Sequence, residues 1–244
     1  MGDRGQSEVV GFLLVFGIIM LLLGGMFSSG LLGIQSVRDF EETKNAEQAM
    51  TVLATNVDEV TQDGVPSRAT EIKLASAKLA VEEPITVTIH GENVSDPDDT
   101  FTETVQSHPI VYDTMTGTRI VYSGGAVFHE DDTGVVTIRD PACVIAEDAG
   151  IFPVIRTYAA DRSQVGGSST TLVHVTRTGG ELRKTTDSTY EITLNVTSPR
   201  AEAWERALDE QVGTDCSRTD DTVTCTTTVE RAYVTVDEVA VRFR

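Results

Sequence analysis

The chain has 244 residues, of which 38 are acidic and 19 basic, and its formal net charge is −19. Hydrophobic residues make up 40% of it, which is enough for a core and argues against wholesale disorder. The acidic balance excludes a general nucleic-acid binder, because such a protein meets phosphates with a basic surface. Its three cysteines exclude a disulfide scaffold and a four-ligand structural zinc site.

The basic residues are mostly arginines: only 4 of the 19 are lysines, whereas threonine contributes 33 residues. Carboxylates in such excess repel one another in the folded chain at low salt. High salt screens this repulsion, since the Debye length falls to about 3 Å at 1 M. The composition resembles that of proteins from salt-loving archaea, and an ordinary acidic surface protein is the alternative.

Residues 9–27 form a run without a charged or strongly polar side chain. As a helix this run would span about 28 Å, close to the hydrocarbon thickness of a bilayer. No second run of this kind follows, so we expect one crossing, with a hydrophobic segment at residues 9–34. A cleavable secretory signal is the alternative, but its apolar core is shorter and ends at a small-residue cleavage site.

A short charged segment precedes the apolar run, and its string Arg4-Gly5-Gln6-Ser7 resembles the class III signal of archaeal type IV pilins and archaellins. In those families a prepilin peptidase cuts after a basic–Gly pair on the cytoplasmic side, and the apolar helix is retained. The resemblance implies a leader of residues 1–5, cleavage between Gly5 and Gln6, and a mature chain that starts at Gln6. The following residues, 7–11, are similar to the start of many haloarchaeal pilin-like proteins.

Glu8 places a carboxylate at the membrane edge, where an unpaired charge is costly to bury. In pilin-like assemblies an acidic residue near the new N-terminus pairs with a neighbour's α-amino group, so the resemblance implies an assembly role for Glu8. Many bacterial pilins have this acid where the present chain has Val10. Simple placement of Glu8 among the lipid headgroups is the alternative.

The charges that flank the apolar run indicate its orientation. Arg4 is the only basic residue before the run, and the far flank at residues 38–42 is acidic. By the positive-inside rule the N-terminus stays inside and the C-terminal part lies outside. We therefore expect a single-pass protein of the cell membrane with an extracellular head, in a surface filament if it assembles.

The helix is expected to continue past the membrane, over residues 6–62. An apolar stripe at spacings of four and three is typical of a helix with one buried face; it consists of Ala46, Met50, Leu53, Val57 and Val60. Gly64, followed by Pro66, is predicted to end the helix. The head domain is then expected to comprise residues 67–244.

The rest of the chain alternates apolar and polar residues, for example at 85–89, 190–196 and 239–243, which predicts half-buried strands. Residues 111–122 are predicted to form a hairpin, and turns are predicted at 96–99 and 178–180. One short helix is predicted to have Ser198 as its N-cap, Trp204 on its buried face and Gly213 at its end. The predicted fold class is α+β: a long N-terminal hydrophobic helix and an antiparallel, sandwich-like β-rich head with one short helix.

Two features of the head depend on its location. Cys216 and Cys225 flank a polar segment typical of a hairpin loop, so outside the cell they are expected to form a disulfide; two free thiols are the alternative. Cys143 is expected to be a buried small hydrophobe. Asn93 and Asn195 each begin an N-glycosylation triplet. Asn93, beside a predicted turn, is the better candidate, since Asn195 lies within a predicted strand.

We find no pattern that predicts chemistry. The four histidines are scattered, and no phosphate-binding or dinucleotide-binding motif is present. The acidic clusters at residues 96–99 and 129–132 lack the spacing of a calcium loop, so we interpret them as solvated turns. We therefore expect no catalytic residue, no metal, no cofactor and no enzymatic activity.

The resemblance implies a membrane-anchored type IV pilin-like surface protein with a structural or adhesive role. The expected head is large for a major subunit, which favours a minor or tip subunit of a pilus. Its partners would be the membrane, a prepilin peptidase and other pilin-like subunits, with no nucleic acid among them. A permanently anchored extracellular binding domain that never assembles is the main alternative, and an extracellular enzyme using an acidic cluster is a third.

The charge predicts that salt stabilises the fold. For the full chain in detergent we expect the thermal midpoint to rise substantially between dilute buffer and molar NaCl or KCl, because added ions screen the self-repulsion behind the net charge of −19. Circular dichroism at a series of salt concentrations measures this change. A midpoint that does not respond to salt would contradict the halophilic interpretation.

Overall fold

The computed structural model describes residues 4–114, 116–146, 148–210 and 215–244, with side chains from residue 9 onward except 27–36 and 39. The chain divides into two compact units. The first ends at Lys44, and the second, Asn45–Arg244, is called the head below.

The first helix, α1, is Arg4–Thr61. Gly64, at φ +71°, turns the chain back in the left-handed conformation that glycine adopts without strain. The Val65 N–H then donates to the Glu59 carbonyl at 3.2 Å, which satisfies one of the orphan carbonyls at the helix end. The head includes the last turns of α1 and so starts at Asn45 rather than at residue 67.

The described part of the head contains sixteen strands and one further helix. In chain order these elements are β1 (Ser67–Lys73), β2 (Ala77–Val81), β3 (Ile85–Asn93), β4 (Asp96–Ser107), β5 (Ile110–Asp113), β6 (Arg119–Ser123), β7 (Ala126–Asp131), β8 (Gly134–Arg139), β9 (Val144–Ile145), β10 (Ala149–Ala159), β11 (Gln164–Gly167), β12 (Thr170–Thr185), β13 (Tyr190–Thr197), α2 (Ala201–Asp209), β14 (Asp215–Thr219), β15 (Thr222–Val229) and β16 (Arg231–Phe243).

The strands form three sheets. Sheet 1 has the order β1-β12-β16-β10-β9, sheet 2 the order β11-β2-β5-β6-β7-β8, and sheet 3 the order β14-β15-β13-β3-β4. Their pairings are antiparallel except for β10 with β16, which is parallel over Ala149 to Ala159. The predicted fold class, a long apolar N-terminal helix followed by a β-rich head with one short helix, is confirmed.

Two hydrophobic clusters fill the head, and sheet 2 separates them. Alternate residues of its central strands, such as Ile120 and Tyr122, pack with the end of α1 and part of sheet 1. The intervening residues, such as Val121 and Phe128, pack with sheet 3 and α2. Period-two alternation therefore supplies both faces of the central strands of sheet 2 with apolar side chains, because neither face of these strands meets water.

Helix α2 starts later than predicted. Ala201 is its first residue and Arg200 its N-cap, whereas Ser198 was expected in that position. The Ser198 hydroxyl accepts the Arg200 N–H at 3.1 Å, so it closes a turn before the helix instead of capping it. Trp204 is buried and meets the Phe128 ring edge-on at 5.4 Å. The predicted end at Gly213 lies outside the described residues.

Two predicted turns are strand residues in the structure. Residues 96–99 begin β4, and the turn before them is at Val94–Ser95. Residues 178–180 lie within β12, where the pairing with β16 shifts register between Arg177 and Gly179. Pairing with a neighbouring strand overrides local turn preference in both places.

Gly180 makes room for an ion pair over sheet 1. The Arg177 guanidinium bonds Asp237, with Nε at 2.8 Å and Nη2 at 2.7 Å from Oδ1. The Asp237 side chain is almost fully buried. A Cβ added at Gly180 would lie 1.9 Å from the Arg177 Nη2 and 2.5 Å from the Asp237 Oδ1. Only a glycine fits beneath this pair without displacing it.

Gly180→Ala is therefore expected to destabilise the head by about 1–2 kcal/mol, because it separates a half-exposed arginine from a buried carboxylate. The neighbouring variant Gly179→Ala is the control, since its Cβ would meet only Glu238, at 3.4 Å. Denaturant unfolding followed by the fluorescence of Trp204 measures both free energies. Equal effects of the two variants would contradict the steric argument.

Candidate functional site

The first feature with functional meaning is the apolar part of α1. The segment Val9–Met26 has a mean hydropathy of 2.7, and none of its residues is buried. It is long and apolar enough to cross a membrane once; a signal sequence near an N-terminus meets the same criteria. Length and hydropathy therefore identify this segment as a single membrane span or a signal sequence, without distinguishing between the two.

The described part of the chain does not bury the side chains of this segment. Phe12 is 69% exposed and Leu21 is 77% exposed, and a Cβ built on Gly17 would find nothing within 4 Å. Exposing one such large apolar side chain to water costs about 1.5–3 kcal/mol. Since the segment carries many of them, it requires an apolar surrounding: lipid, detergent or other helices.

The predicted processing and assembly residues precede this segment. Residues 1–3 lie outside the described residues, and α1 begins at Arg4. The side chains of Arg4, Gln6, Ser7 and Glu8 also lie outside the described set, so cleavage after Gly5 and the pairing of Glu8 stay predictions.

The other end of α1 is built into the head. The predicted apolar stripe is fully enclosed: Ala46 is 3% exposed, and Met50, Leu53, Val57 and Val60 have no exposed surface. These side chains share one cluster with residues of sheets 1 and 2, such as Ile72 and Tyr112. Removing this part of the helix would open the core, so the helix end and the sheets form one folding unit.

Polar contacts fix the helix end along its length. The Glu47 carboxylate lies 2.8 Å from Nδ1 of His129 on β7. One turn from the end of the stripe, the Asn56 amide donates to the Thr70 hydroxyl on β1 at 2.8 Å. These contacts connect α1 to strands of two different sheets and so define its rotation about its own axis.

An ion pair between Asp58 of α1 and Arg139 of β8 also holds the helix end in place. The two side chains are 19% and 27% exposed. Arg139 also donates to the Gly125 carbonyl at 2.6 Å. Burial raises the pKa of Asp58 above its usual value, and the charge and hydrogen bond of Arg139 oppose this rise. Burial also raises the pKa of the neighbouring Tyr122 hydroxyl. Arg139 therefore favours the ionised form of Asp58 against the effect of burial.

A second ion network lies where sheet 2 meets α2. Arg119 donates to both oxygens of Glu82, at 2.6 and 2.5 Å, and to Glu130 at 3.4 Å. The Nε of Arg200, which is 5% exposed, donates to the other oxygen of Glu130 at 2.7 Å. Burial lowers the pKa of Arg200, and the charge of Glu130 opposes that shift. Each carboxylate in the network is paired with an arginine. This pairing suits a role in stabilising the fold better than a role in acid–base catalysis.

The structure joins Cys216 and Cys225 in a disulfide with a Cα–Cα distance of 4.1 Å. The two residues are direct partners on β14 and β15, so the bond crosses an antiparallel hairpin. It connects an edge strand to its only neighbour in sheet 3. Cys143 is free and only half-buried as a residue, whereas a buried side chain was expected. Burial of its thiol raises its pKa to about 12, which makes it a poor nucleophile.

The two glycosylation triplets differ from the expected order of accessibility. Asn93 is 9% exposed, and its amide nitrogen donates to Asp99 and to Ser188, each at 3.2 Å. Asn195 lies on the outer side of β13, is half-exposed, and accepts the Thr224 hydroxyl at 2.7 Å. The turn beside Asn93 does not expose it, because its side chain is folded inward against the segment before β13.

No group of three or more histidine, cysteine or carboxylate side chains within the described ranges could hold a metal ion. The acidic clusters identified in the sequence have local partners instead: Asp131 accepts both the N–H and the hydroxyl of Thr133. Asp99, in the other cluster, bonds Tyr190, which lowers the pKa of its carboxyl.

Sequence reasoning missed the side chains that fasten α1. The stripe of Met50 and Val57 predicted which face of α1 is buried, but nothing in the pattern indicated that Asp58 and Arg139 would meet. They are 81 residues apart, and no sequence signal pairs them. Only an excess of arginine over lysine hinted at partly buried ion pairs, since the arginine guanidinium suits them.

Arg139→Met is expected to cost about 2 kcal/mol near pH 7, because it leaves the Asp58 carboxylate partly buried and unpaired. The matched control is Arg68→Met, since Arg68 pairs with the adjacent Glu59 but both side chains are more exposed, at 43% and 35%. That variant should lose less than about 1 kcal/mol.

The pH dependence of the loss tests its cause. Without Arg139 the pKa of Asp58 rises further in the folded state, which then binds more protons than the unfolded state above about pH 4. Stability of Arg139→Met therefore falls as pH rises through that window, and the deficit shrinks again toward pH 4. Denaturant unfolding from pH 4 to 7 checks this; a deficit independent of pH would contradict the role of Asp58.

No curated protein and no solved structure matches the chain. One family does match, over residues 4–242, which is nearly the whole chain and includes both α1 and the head. The chain therefore belongs to DUF7289, a family of unknown function.

Proposed function

We propose that this chain is a type IV pilin-like subunit of a surface filament, with a structural or adhesive role. The observation that carries the proposal is the combination found in α1. One helix, Arg4–Thr61, has a segment with no buried residue at one end and a fully enclosed apolar stripe at the other. Such a helix holds a head permanently and leaves its own apolar segment available to lipid or to other helices.

The sequence before that segment supports the same proposal. Arg4-Gly5 stands three residues before the apolar run, as in a class III signal, and cleavage after Gly5 would retain the apolar helix. A secretory signal would instead be removed together with the apolar run. Cleavage near residue 30 would cut inside α1, which continues to Thr61.

The head supports an outside location. Its hairpin disulfide between Cys216 and Cys225 suits an oxidising space, and its excess of acidic residues suits an extracellular surface in high salt. The head comprises 200 of the 244 residues, Asn45–Arg244, which favours a minor or tip subunit over a major one. The partners on this proposal are the membrane, a prepilin peptidase and other pilin-like subunits.

The decisive experiment is to determine the mature N-terminus of the protein from cells. We expect a chain that begins at Gln6, fractionates with membranes or sheared filaments, and loses this processing in Gly5→Leu, because a bulky residue blocks the peptidase. Gly2→Leu, in the same leader but away from the cut, is the matched control and should be processed normally. Mass spectrometry of the intact proteins distinguishes the products.

Two other outcomes would contradict the proposal. A mature chain that still begins at Met1 and remains in the membrane would identify a permanently anchored extracellular domain. A soluble product that begins near Gly30 would identify a secretory signal.

A further inference from the structure

Sheet 3 has an outer face made almost entirely of small uncharged polar side chains. Three rows cross its five strands, and each row takes one residue from every strand. We call these fifteen positions the threonine face: Asp215, Thr226, Thr193, His90 and Thr102; Ser217, Thr224, Asn195, Thr88 and Thr104; Thr219, Thr222, Thr197, Thr86 and Gln106. All fifteen are exposed or half-exposed, whereas residues between them, such as Ile192 and Val223, are buried in the core.

The threonine face is nearly free of charge in a chain whose net charge is −19. One of its positions is a carboxylate, Asp215 at a corner, and none is lysine or arginine. Acidic residues border the face at both ends. Glu92 and Glu191 lie in the next row at one end, together with Thr100 and Thr228. Asp220 and Asp221 occupy the turn at the other end. Within this acidic surface the face is the place where an uncharged partner can approach without desolvating ions.

Hydrogen bonds hold the side chains of the face in a fixed array. The Thr88 hydroxyl lies 3.1 Å from that of Thr104, and Thr197 lies 2.9 Å from Thr222. A hydroxyl has one donor and two acceptor sites, so a single pairing leaves capacity for a ligand. Each threonine also offers a methyl group, and the array therefore alternates hydrogen-bonding and apolar points across the face.

This chemistry excludes several partners. A phosphate-bearing or acidic ligand would need arginine or lysine, and the face has neither. A nucleobase would stack on phenylalanine, tyrosine or tryptophan, and none of these is among the fifteen positions. A second copy would find a patch of roughly 19 by 14 Å between its outermost Cα atoms, estimated from strand spacing and rise. That is small against the roughly 800 Å² per partner of a stable protein interface.

We propose that the threonine face is a docking surface for neutral polysaccharide. Sugar rings present hydroxyls and C–H faces in alternation, which match the hydroxyls and methyls of the array. Recognition without charge also suits concentrated salt, where a Debye length of about 3 Å removes attraction between exposed ions. The inference rests on the adhesive role proposed above and names the class of surface that the head adheres to.

The test uses the full chain in detergent and 2–4 M NaCl, with four insoluble neutral matrices: cellulose, cross-linked dextran, mannan and agarose. We expect the protein to sediment with at least one of them and not with carboxymethyl-cellulose, because that matrix is acidic. Binding should persist or strengthen as NaCl rises. Retention that falls with salt would mean attraction through charge and would overturn the proposal.

The variant Thr88→Glu/Thr224→Glu places two carboxylates at the centre of the face and should weaken sedimentation at least tenfold. Thr170→Glu is the matched control, an exposed strand threonine on sheet 1, and should bind as the unmodified protein does. Thermal midpoints establish that both variants fold. Undiminished binding by the double variant, or no binding to any of the four matrices, would overturn the proposal.

Two further results would overturn it in favour of another occupant. A dimer that the double variant abolishes would assign the face to a second copy of the chain. A glycan on Asn195 in protein from cells would mean that the face is covered by the chain's own modification. Failure of this experiment is independent of filament assembly, because purified subunits are used and processing after Gly5 is measured separately.

Discussion

The burial of the last turns of α1 is the interaction on which the rest of the molecule depends. Met50, Leu53 and Val57 fill the space between the helix and two sheets, and no other described helix reaches that cluster. Because these last turns are a component of the core, they cannot leave the sheets without exposing these side chains to water. The N-terminal part of the same helix carries Val9–Met26, a segment long and apolar enough to cross a membrane.

The excess of acidic residues is the second constraint, and the head accommodates it by pairing its less exposed carboxylates with arginines. The partly buried Asp58 and the buried Asp237 are each paired with an arginine. This arrangement avoids the cost of isolated buried charge but leaves a strong negative field outside. The uncharged outer side of sheet 3 stands out against that field, because β-branched threonines satisfy the strands without adding charge.

The helices and strands were predicted from the sequence more accurately than the pairing of the strands in the sheets. Alternation located strands such as β3 and β13, the stripe from Ala46 to Val60 gave the buried side of α1, and Gly64 marked its end. The sequence could not predict the parallel pairing of β10 with β16, since the registers join residues some eighty positions apart. Composition misled at 96–99, where Asp and Pro are typical of a turn but the pairing of β3 with β4 prevailed.

Among the candidate sites, those that depend on neighbouring residues were predicted, and those that depend on distant residues were not. Cys216 and Cys225 are nine positions apart and flank a short polar segment, so local reasoning sufficed to bring them together. Asn93 could not be judged locally, because its amide is occupied by Asp99 and by Ser188, a residue 95 positions later. Alternation predicted half-buried strands at 85–89 and 190–196, but only the strand order assembles the threonines of sheet 3 into one surface.

The position of β16 has a consequence for how the head forms. It is the central strand of sheet 1, with β12 on one side and β10 on the other, yet it follows all its neighbours in chain order. Sheet 1 stays in two halves until residues 231–243 have emerged, and both clusters lack side chains such as Val234 and Val241 until then. Sheet 1 therefore cannot close before its last strand is available, so we expect the head to complete its fold only after the whole chain has been made.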